Sequence, residues 1–243
     1  MKIILRFICK LDAITKEMIS KRNVDFLKKL EKNNDRDWFQ ANKEWYTEAH
    51  ENSIELADKV LLELSKIDEI DNESGKKSLY RIYRDVRFSK DKSPYKTHWA
   101  MSFRRKGADR RGGYYIMIKP GQMMVGGGFY SPESKDLKLI RGHIAEEPQR
   151  LRKILGSKKF TDTFGELRGE QVKTAPKGYP KDHPAIDLLR YKSMYVFKEY
   201  SDKEAMDKDF HKGIIKTYKA IRPYFDYMSD ILTHDLNGES LLK

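Results

Sequence analysis

The chain has 243 residues, of which 39% are hydrophobic and 12% aromatic. This length suits one domain with a substantial core, and 14 Tyr, 11 Phe and 3 Trp supply large apolar side chains, so the composition excludes an intrinsically disordered chain. The formal net charge of +12 favours anionic partners such as nucleic acid, nucleotides, phosphorylated metabolites or acidic lipid.

A single cysteine, Cys9, excludes an intrachain disulfide and a thiolate metal cluster. The apolar run at residues 3–8 is too short for a signal sequence and is interrupted by Arg6. No stretch approaches the roughly 20 apolar residues that a membrane span requires. We therefore expect a soluble, cytoplasmic protein without a membrane partner.

The N-terminal third is predicted to be helical. Residues 15–30 place apolar side chains at helical spacing, and residues 33–35 then supply N-cap chemistry. A second amphipathic pattern continues to Ile67. The polar stretch at residues 68–77 ends this helical part.

Beyond Ser78 the hydrophobic period changes to two, which indicates strands. The candidate strands are residues 79–88, 98–105, 114–119 and 122–130. The last two are joined at residues 119–122, where Pro120 and Gly121 suit the centre of a type II turn. Three consecutive glycines at 126–128 indicate either a β-bulge or the close approach of another backbone.

Helical signals return after the fourth candidate strand. Ser131 is predicted to be an N-cap, with Pro132 at the first helical position. Short helices should follow, and residues 194–200 form a predicted fifth strand.

The final helix is predicted to start at residues 201–204, which have capping-box spacing, and Pro223 should kink or interrupt it. The order of elements predicts an α+β fold with a central, mainly antiparallel sheet flanked by N-terminal and C-terminal helices. The predicted organisation is a leader at 1–14, one domain at 15–235 and a frayed tail at 236–243.

Residues 81–98 hold six cations among two aspartates, aromatic residues and a histidine. From Arg81 to Tyr95 they resemble the signature R-x-x-R-D-x-R-F-x-x-x-D-K-x-x-Y of a bacterial family catalogued as domain of unknown function 2461, and the fixed residues occur in the same order with two residues rather than three between Phe88 and Asp91. The resemblance covers about residues 15–232 and includes the segments 33–39, 126–132 and 176–184. It implies a shared site without naming a reaction.

Arg84 is the informative residue of this stretch. If residues 79–88 form a strand, Arg84 lies on an apolar face and must pair with a carboxylate or bind an anion. One interpretation is an ion pair that only holds the fold. The other is an anion site, whose predicted ligand-binding residues are Arg81, Arg84, Arg87, Ser89, Lys90, Lys92, Tyr95 and Lys96.

Two geometric predictions follow from the anion-site interpretation. Arg84 should be more buried than Lys90 or Lys106, because only Arg84 interrupts an apolar alternation. Five side chains should also converge on one pocket, namely Arg84, Asp85, Arg87, Lys92 and Tyr95.

Asp85 and His98 are the candidate catalytic residues, since a carboxylate and an imidazole beside an anion could transfer protons. A second basic and aromatic segment adds Lys177 and His183 as predicted ligand-binding residues, and a rigid surface turn is the alternative explanation for that segment. No metal-ligand spacing occurs, so no metal is expected, and the sequence indicates no particular cofactor.

The leading functional hypothesis is binding, with or without turnover, of a phosphorylated small molecule or nucleotide at a basic pocket built by residues 81–98. The alternative is a nucleic-acid-binding or nuclease-like protein using the same surface, since residues 80–111 hold 11 Lys and Arg against 3 Asp. No recognised nucleic-acid motif is visible, which favours the small anion. A structural Arg–Asp network without a ligand is the third hypothesis.

Overall fold

The computed structural model describes residues 17–242, and its centre is a four-stranded antiparallel sheet in the order β1-β2-β3-β4. The strands are β1 (Trp99–Arg104), β2 (Gly113–Ile118), β3 (Met123–Phe129) and β4 (Met194–Tyr200). The predicted leader, with Cys9, lies outside the described residues.

Ten helices of the described chain precede, follow or connect these strands. Those before the sheet are α1 (Lys21–Lys32), α2 (Arg36–Ala41), α3 (Lys43–Leu64) and α4 (Gly75–Ser78). Those between β3 and β4 are α5 (Ser134–Glu146), α6 (Pro148–Leu155), α7 (Lys158–Phe164) and α8 (Ile186–Leu189). The last two are α9 (Asp202–Met206) and α10 (Phe210–Thr233). The predicted α+β class, with helices at both ends of a central antiparallel sheet, is confirmed.

Capping residues explain where the N-terminal helices begin. Ser20 accepts a hydrogen bond from the backbone N–H of Asn23 and starts α1, later than the sequence pattern predicts. Asp35 accepts one from Trp38 at 2.8 Å and starts α2, as its N-cap chemistry predicts. Asn42 then separates α2 from α3, so the predicted second amphipathic pattern is two helices.

The helices cover one face of the sheet, because α10 packs on β3 and α3 packs on β1. The strand side chains on this face are buried, and those of β1 and β2 are Trp99, Met101, Phe103, Tyr114, Ile116 and Ile118. The Trp99 ring stacks on Phe26 of α1, and Tyr114 lies 4.6 Å from the Tyr218 ring of α10. Alternate residues of the same strands point to the opposite face and are mostly half-buried or exposed.

The prediction of a strand at residues 79–88 is wrong. Leu79 makes one isolated bridge to Met101, and the chain then leaves the sheet. Residues 82–96, here called the motif loop, close on themselves through backbone bonds from Arg84 to Pro94 (2.9 Å) and from Lys96 to Ile82 (2.7 Å). Phe88 is 97% exposed, so the apolar alternation that suggested a strand does not mark a buried face.

The hairpin between β2 and β3 is confirmed. Gln122 donates its backbone N–H to Lys119 at 2.9 Å, and Gly121 has the positive φ of +75° that the third position of a type II turn requires. Pairing of β3 with β4 continues without a break through residues 126–128, which excludes a bulge there. A Cβ atom on Gly126 would overlap the Val196 carbonyl, so close approach explains the glycines.

The start of α5 differs from the prediction. The N-cap is Glu133 rather than Ser131, because the first intrahelical bond runs from the Leu137 N–H to the Glu133 carbonyl. Pro132 therefore lies outside the helix.

The capping box predicted at residues 201–204 is present, but it opens the short helix α9 instead of the long final helix. Extended backbone at Asp207 ends α9, and α10 begins separately at Phe210. Pro223 does not interrupt α10, since the missing proline N–H removes one bond while the flanking turns continue.

The tail at residues 236–242 is exposed, yet it turns back on the end of α10. Leu241 donates its backbone N–H to Thr233 at 2.7 Å, and Asp235 donates to Glu239 at 2.9 Å. Among the described residues, no helix is long and apolar enough to cross a membrane.

Candidate functional site

The sheet face that points away from the helices carries a depression of about 590 Å³, here called the open-face groove. Its walls include Tyr80, Tyr115, Met117, Tyr130, Tyr195 and Phe197. Strand register places these side chains, since Ser102, Tyr115, Gly126 and Phe197 form one row across the four strands. The groove is therefore a direct product of the antiparallel pairing.

Glycines make room for the aromatic walls. Gly113, Gly127 and Gly128 line the groove without contributing side chains. Around them the rings form a chain whose centroid distances are 5.8 Å for Tyr115–Phe197, 5.4 Å for Tyr195–Phe197 and 5.6 Å for Tyr130–Tyr195. Tyr80 is 49% exposed and Tyr130 is 78% exposed, so both ring surfaces remain available to a ligand.

A cluster of cationic and histidine side chains lies at one end of this face and is here called the cationic end. It consists of Lys96, His98 and Lys119, and positions 98 and 119 directly flank the last register pair of β1 and β2, Trp99–Ile118. Burial lowers the pKa of His98 first, and the charges of Lys96 and Lys119 lower it further. Within residues 17–242 none of the three forms an ion pair with a carboxylate.

Lys96 connects the motif loop to the groove. Its Nζ donates a hydrogen bond to the Arg81 carbonyl at 2.8 Å and lies 5.7 Å from the centre of the Tyr80 ring. Burial and the nearby charge of Arg81 lower the pKa of Lys96. At the other end of the groove, Arg104 is 3.7 Å from the carboxylate of Asp71.

The motif loop itself is held by its own side chains. Arg84 pairs with Asp91, donates to the Ser93 carbonyl at 3.1 Å and lies 3.4 Å from the Ser89 hydroxyl. Hydrogen bonds from Ser93, followed by the one from Arg84, lower the pKa of Asp91 to about 2. The Arg84 side chain is 25% exposed, so it is a half-buried loop-closing residue.

The prediction that Arg84 is more buried than Lys90 or Lys106 is confirmed, because both lysines are exposed. Neither Lys90 nor Arg81 belongs to an ion pair of the described chain. Among the seven arginines of residues 80–111, each except Arg81 pairs with a carboxylate, and those six are Arg84, Arg87, Arg104, Arg105, Arg110 and Arg111.

The predicted convergence of five motif side chains on one pocket is wrong. Arg87 pairs with Asp85 at 2.7 Å on the surface, where their side chains are 77% and 47% exposed. Lys92 donates to the Val86 carbonyl at 3.0 Å inside the loop. Arg87, Asp85 and Lys92 thus make local hydrogen bonds, none of which involves Arg84.

Arg84 and Tyr95 instead line a separate depression of about 520 Å³, here called the motif cleft. Its other lining residues are Arg36, Asp37, Gln40, Tyr83, Val86 and Pro94. Asn34 fixes one wall, because its side chain donates to the Tyr95 carbonyl at 2.9 Å and accepts from the Tyr95 N–H at 3.1 Å. The Phe39 ring stacks on Tyr95 with a centroid distance of 4.0 Å.

The remaining predicted site residues are dispersed. Asp85 is held by Arg87, whose hydrogen bonds lower the pKa of Asp85, and no hydrogen bond or ion pair in residues 17–242 joins it to His98. His183 accepts a hydrogen bond from the Ala185 N–H at 3.1 Å, and Lys177 is exposed in the same segment. No hydrogen bond or ion pair among the described residues joins Lys177 to His183 either.

Sequence reasoning missed a buried ion pair. Arg105 donates to Asp68 at 2.7 Å, and the Tyr114 hydroxyl donates to the same carboxylate at 2.6 Å. The alternation of β1 could have predicted the burial of Arg105, because position 105 falls on the same face as Trp99 and Phe103. Groove residues Tyr115 and Phe197 were also missed, although both lie at alternate positions of predicted strands.

Across the described chain, no group of three or more His, Cys, Asp or Glu side chains could hold a metal ion. Neither the curated proteins nor the solved structures contain a match to the chain. A scan against protein families matches residues 22–227 to the family described as "Conserved hypothetical protein (DUF2461)". The match spans most of the sequence, and the chain therefore belongs to the DUF2461 family of conserved hypothetical proteins.

Proposed function

We propose that this protein binds a nucleotide, or a similar phosphorylated small molecule with a planar ring, on the open face of its sheet. The ring occupies the open-face groove and the phosphate lies at the cationic end. The observation that carries the proposal is the contact of Lys96 with Tyr80, a wall residue of the aromatic, glycine-lined groove. His98 lies close enough to Lys96 and Lys119 for their charges to lower its pKa, and none of the three pairs with a carboxylate in residues 17–242.

The groove suits a planar ring because its walls are aromatic. Tyr115, Tyr130 and Tyr195 present ring faces or edges around the glycines, and offset or edge-to-face contacts with another ring are favourable. Stacking of a base on an aromatic side chain contributes about 1–3 kcal/mol and tolerates different bases. The groove therefore favours a class of rings rather than one base.

The cationic end suits a phosphate attached to that ring. Residues on one face of an antiparallel strand repeat about every 7 Å, so position 98 lies about one repeat beyond the row of Ala100 and Met117, and Met117 lines the groove. A ribose 5-phosphate can span this separation. Lysine binds phosphate as a point charge, and a neutral histidine can donate one further hydrogen bond.

The motif loop has a supporting role in this proposal. Its Arg84–Asp91 pair and internal backbone bonds fix the segment that carries Lys96 to the edge of β1. Binding therefore depends on the order of residues 81–98, although most of their charged groups do not touch the ligand. This differs from the sequence hypothesis, in which the motif arginines hold the anion.

Three kinds of ligand test the two halves of the site separately. Isothermal titration of the four ribonucleoside monophosphates is compared with titration of the matching nucleosides, which lack phosphate, and of ribose 5-phosphate, which lacks the ring. We expect at least one monophosphate to bind more tightly than its nucleoside and than ribose 5-phosphate. Failure of all the monophosphates to bind would refute the proposal.

Variants assign the two contacts. Tyr130→Ala should weaken nucleoside and nucleotide binding alike by about 1–3 kcal/mol. Lys119→Ala should weaken nucleotide binding by about 1.5 kcal/mol and leave nucleoside binding unchanged. Phe88→Ala and Lys177→Ala are matched controls, because they remove an exposed aromatic ring and an exposed cation elsewhere. Equal losses in the controls would place the ligand outside the groove.

We also infer a cytoplasmic location, where nucleotides and sugar phosphates are abundant. The single cysteine supports this inference, since disulfide-stabilised folds mark oxidising compartments. Fractionation of cells that express the tagged protein tests the location, and recovery of the full chain from the medium or envelope would contradict it.

A further inference from the structure

A second charged surface lies on the N-terminal helices, separate from the open-face groove. Three depressions join there through shared residues: Arg22 and Trp45 link the first to the second, and Gln40 links the second to the motif cleft. We call this continuous surface the basic track. Its lining side chains include eight cations and only three carboxylates, which are Asp25, Asp37 and Glu44.

Several lysines of the basic track lie in a row along helix α1. Lys21, Lys28 and Lys32 of α1 fall within about 40° of one another around the helix, over a length of roughly 16 Å. Lys29 lies beside this row and lines the same depression. All four side chains are exposed. The track is thus a stripe of charge rather than a point.

Several cations of the track lack a carboxylate partner. Lys21 pairs with Asp25 and Arg22 with Glu48. In the described part of the chain, Lys29, Lys32 and Arg36 form no ion pair. These three extend from the end of α1 to the start of α2, so unneutralised charge reaches the motif cleft.

Aromatic side chains interrupt the stripe. The Arg22 guanidinium lies 5.4 Å from the centre of the Trp45 ring, which is half-buried. Tyr83, in the motif cleft, is 47% exposed. A linear arrangement of cations with accessible aromatic rings is what single-stranded nucleic acid requires, because cations follow the phosphates and rings stack on unpaired bases.

We propose that the basic track binds a single strand of nucleic acid, with its phosphates along α1 and at Arg36 and one base stacked on Tyr83. A duplex fits less well, because its bases are paired and cannot stack on Tyr83. This surface is independent of the nucleotide proposal. The two sites share no wall residue, so either proposal can fail alone.

The test uses fluorescence anisotropy of the full chain with fluorescein-labelled dT20 at 50–300 mM NaCl. The first variant replaces Lys29, Lys32 and Arg36 together by alanine. The matched control replaces Lys173, Lys177 and Lys181, three exposed lysines that likewise form no ion pair in the described residues. Circular dichroism of both triple variants checks that they are folded.

We expect the track variant to bind dT20 at least tenfold more weakly near 100 mM salt. Its plot of log K against log salt should lose about two units of slope, because each contact to a single strand contributes about 0.7. The control triple should retain wild-type affinity within twofold. Equal losses in both triples, or no saturable binding at 50 mM salt, would overturn the proposal.

Two further arms test the class of nucleic acid and the independence of the site. Tyr83→Leu should weaken dT20 binding about fivefold while binding of a 20-base-pair duplex stays unchanged. A duplex that binds the wild type as tightly as dT20 would overturn the assignment to single strands. Titration of nucleoside monophosphates should not respond to the track triple, so failure of the open-face groove would be seen separately.

Discussion

Arg105 and Asp68 form an ion pair that the core encloses, with side-chain exposures of 2% and 1%. Arg105 also contacts Asp226 at 3.1 Å and the Ser229 hydroxyl at 3.1 Å, so it ties β1 to α10. Asp68 also pairs with Arg222 at 3.2 Å, so its removal would leave Arg105 and Arg222 to share the single carboxylate of Asp226. Loss of a carboxylate from such a buried network costs more than the loss of a surface pair.

We therefore predict that Asp68→Ala lowers the free energy of unfolding by about 3–5 kcal/mol. Asp85→Ala removes a carboxylate from the exposed pair with Arg87 and should leave the free energy of unfolding nearly unchanged. Urea denaturation of both variants measures the difference. Similar losses in the two variants would mean that burial does not decide the strength of these pairs.

His98 gives the proposed site a pH dependence. Burial and two lysines lower its pKa, so the free imidazole is neutral near pH 7. A bound anion would raise this pKa, and binding should therefore strengthen as the pH falls from 7.5 to 6 and His98 takes up a proton.

A sulfate-ester analogue of a bound nucleotide tests this prediction, because its charge stays constant over the pH range. Wild-type affinity should rise at low pH, whereas His98→Gln should show no such increase. An equal pH response in the variant would exclude His98 from the site.

The strands show which elements a sequence predicts well. Alternation in residues 114–119 and 122–130, joined by the Pro120–Gly121 turn, predicts β2 and β3 because sheet pairing and turn chemistry agree there. Residues 79–88 have a similar alternation, but Asp91 and the carbonyls of the loop bind its cations locally. The alternation of apolar residues alone cannot distinguish a strand from a loop that is closed by its own side chains.

At the scale of elements, Asn34 connects α2 to the motif loop. Its side chain makes two hydrogen bonds to the Tyr95 backbone, one to the carbonyl and one from the N–H. These bonds take the place of strand pairing at Tyr95. Asn34→Ala should lower the free energy of unfolding by about 1–3 kcal/mol and accelerate amide exchange in residues 82–96.

Asn33→Ala is the matched control, because the Asn33 side chain makes only a local bond to the Lys29 carbonyl. Its exchange in residues 82–96 should equal that of the wild type. Unchanged exchange in Asn34→Ala would show that Asn34 does not hold the loop.

At the scale of the whole molecule, helices cover one face of the sheet and leave an aromatic groove on the other. The sequence predicted the layers, because they depend on local period and element order. It could not predict the groove, since Tyr80, Tyr115 and Tyr195 meet only through the register of the finished sheet. The cationic end was predicted in part, through Lys96 and His98.

Methyl NMR of the protein labelled with ¹³C at its methionine methyl groups tests the groove most directly. Met117 and Met124 line the groove, whereas Met101 and Met228 are buried in the core on the helix side. During titration with a nucleoside monophosphate, the ring current of the base should shift the Met117 and Met124 signals and leave the Met101 and Met228 signals in place. Saturable binding that leaves Met117 and Met124 unshifted would contradict the proposal that the open face of the sheet is the binding site.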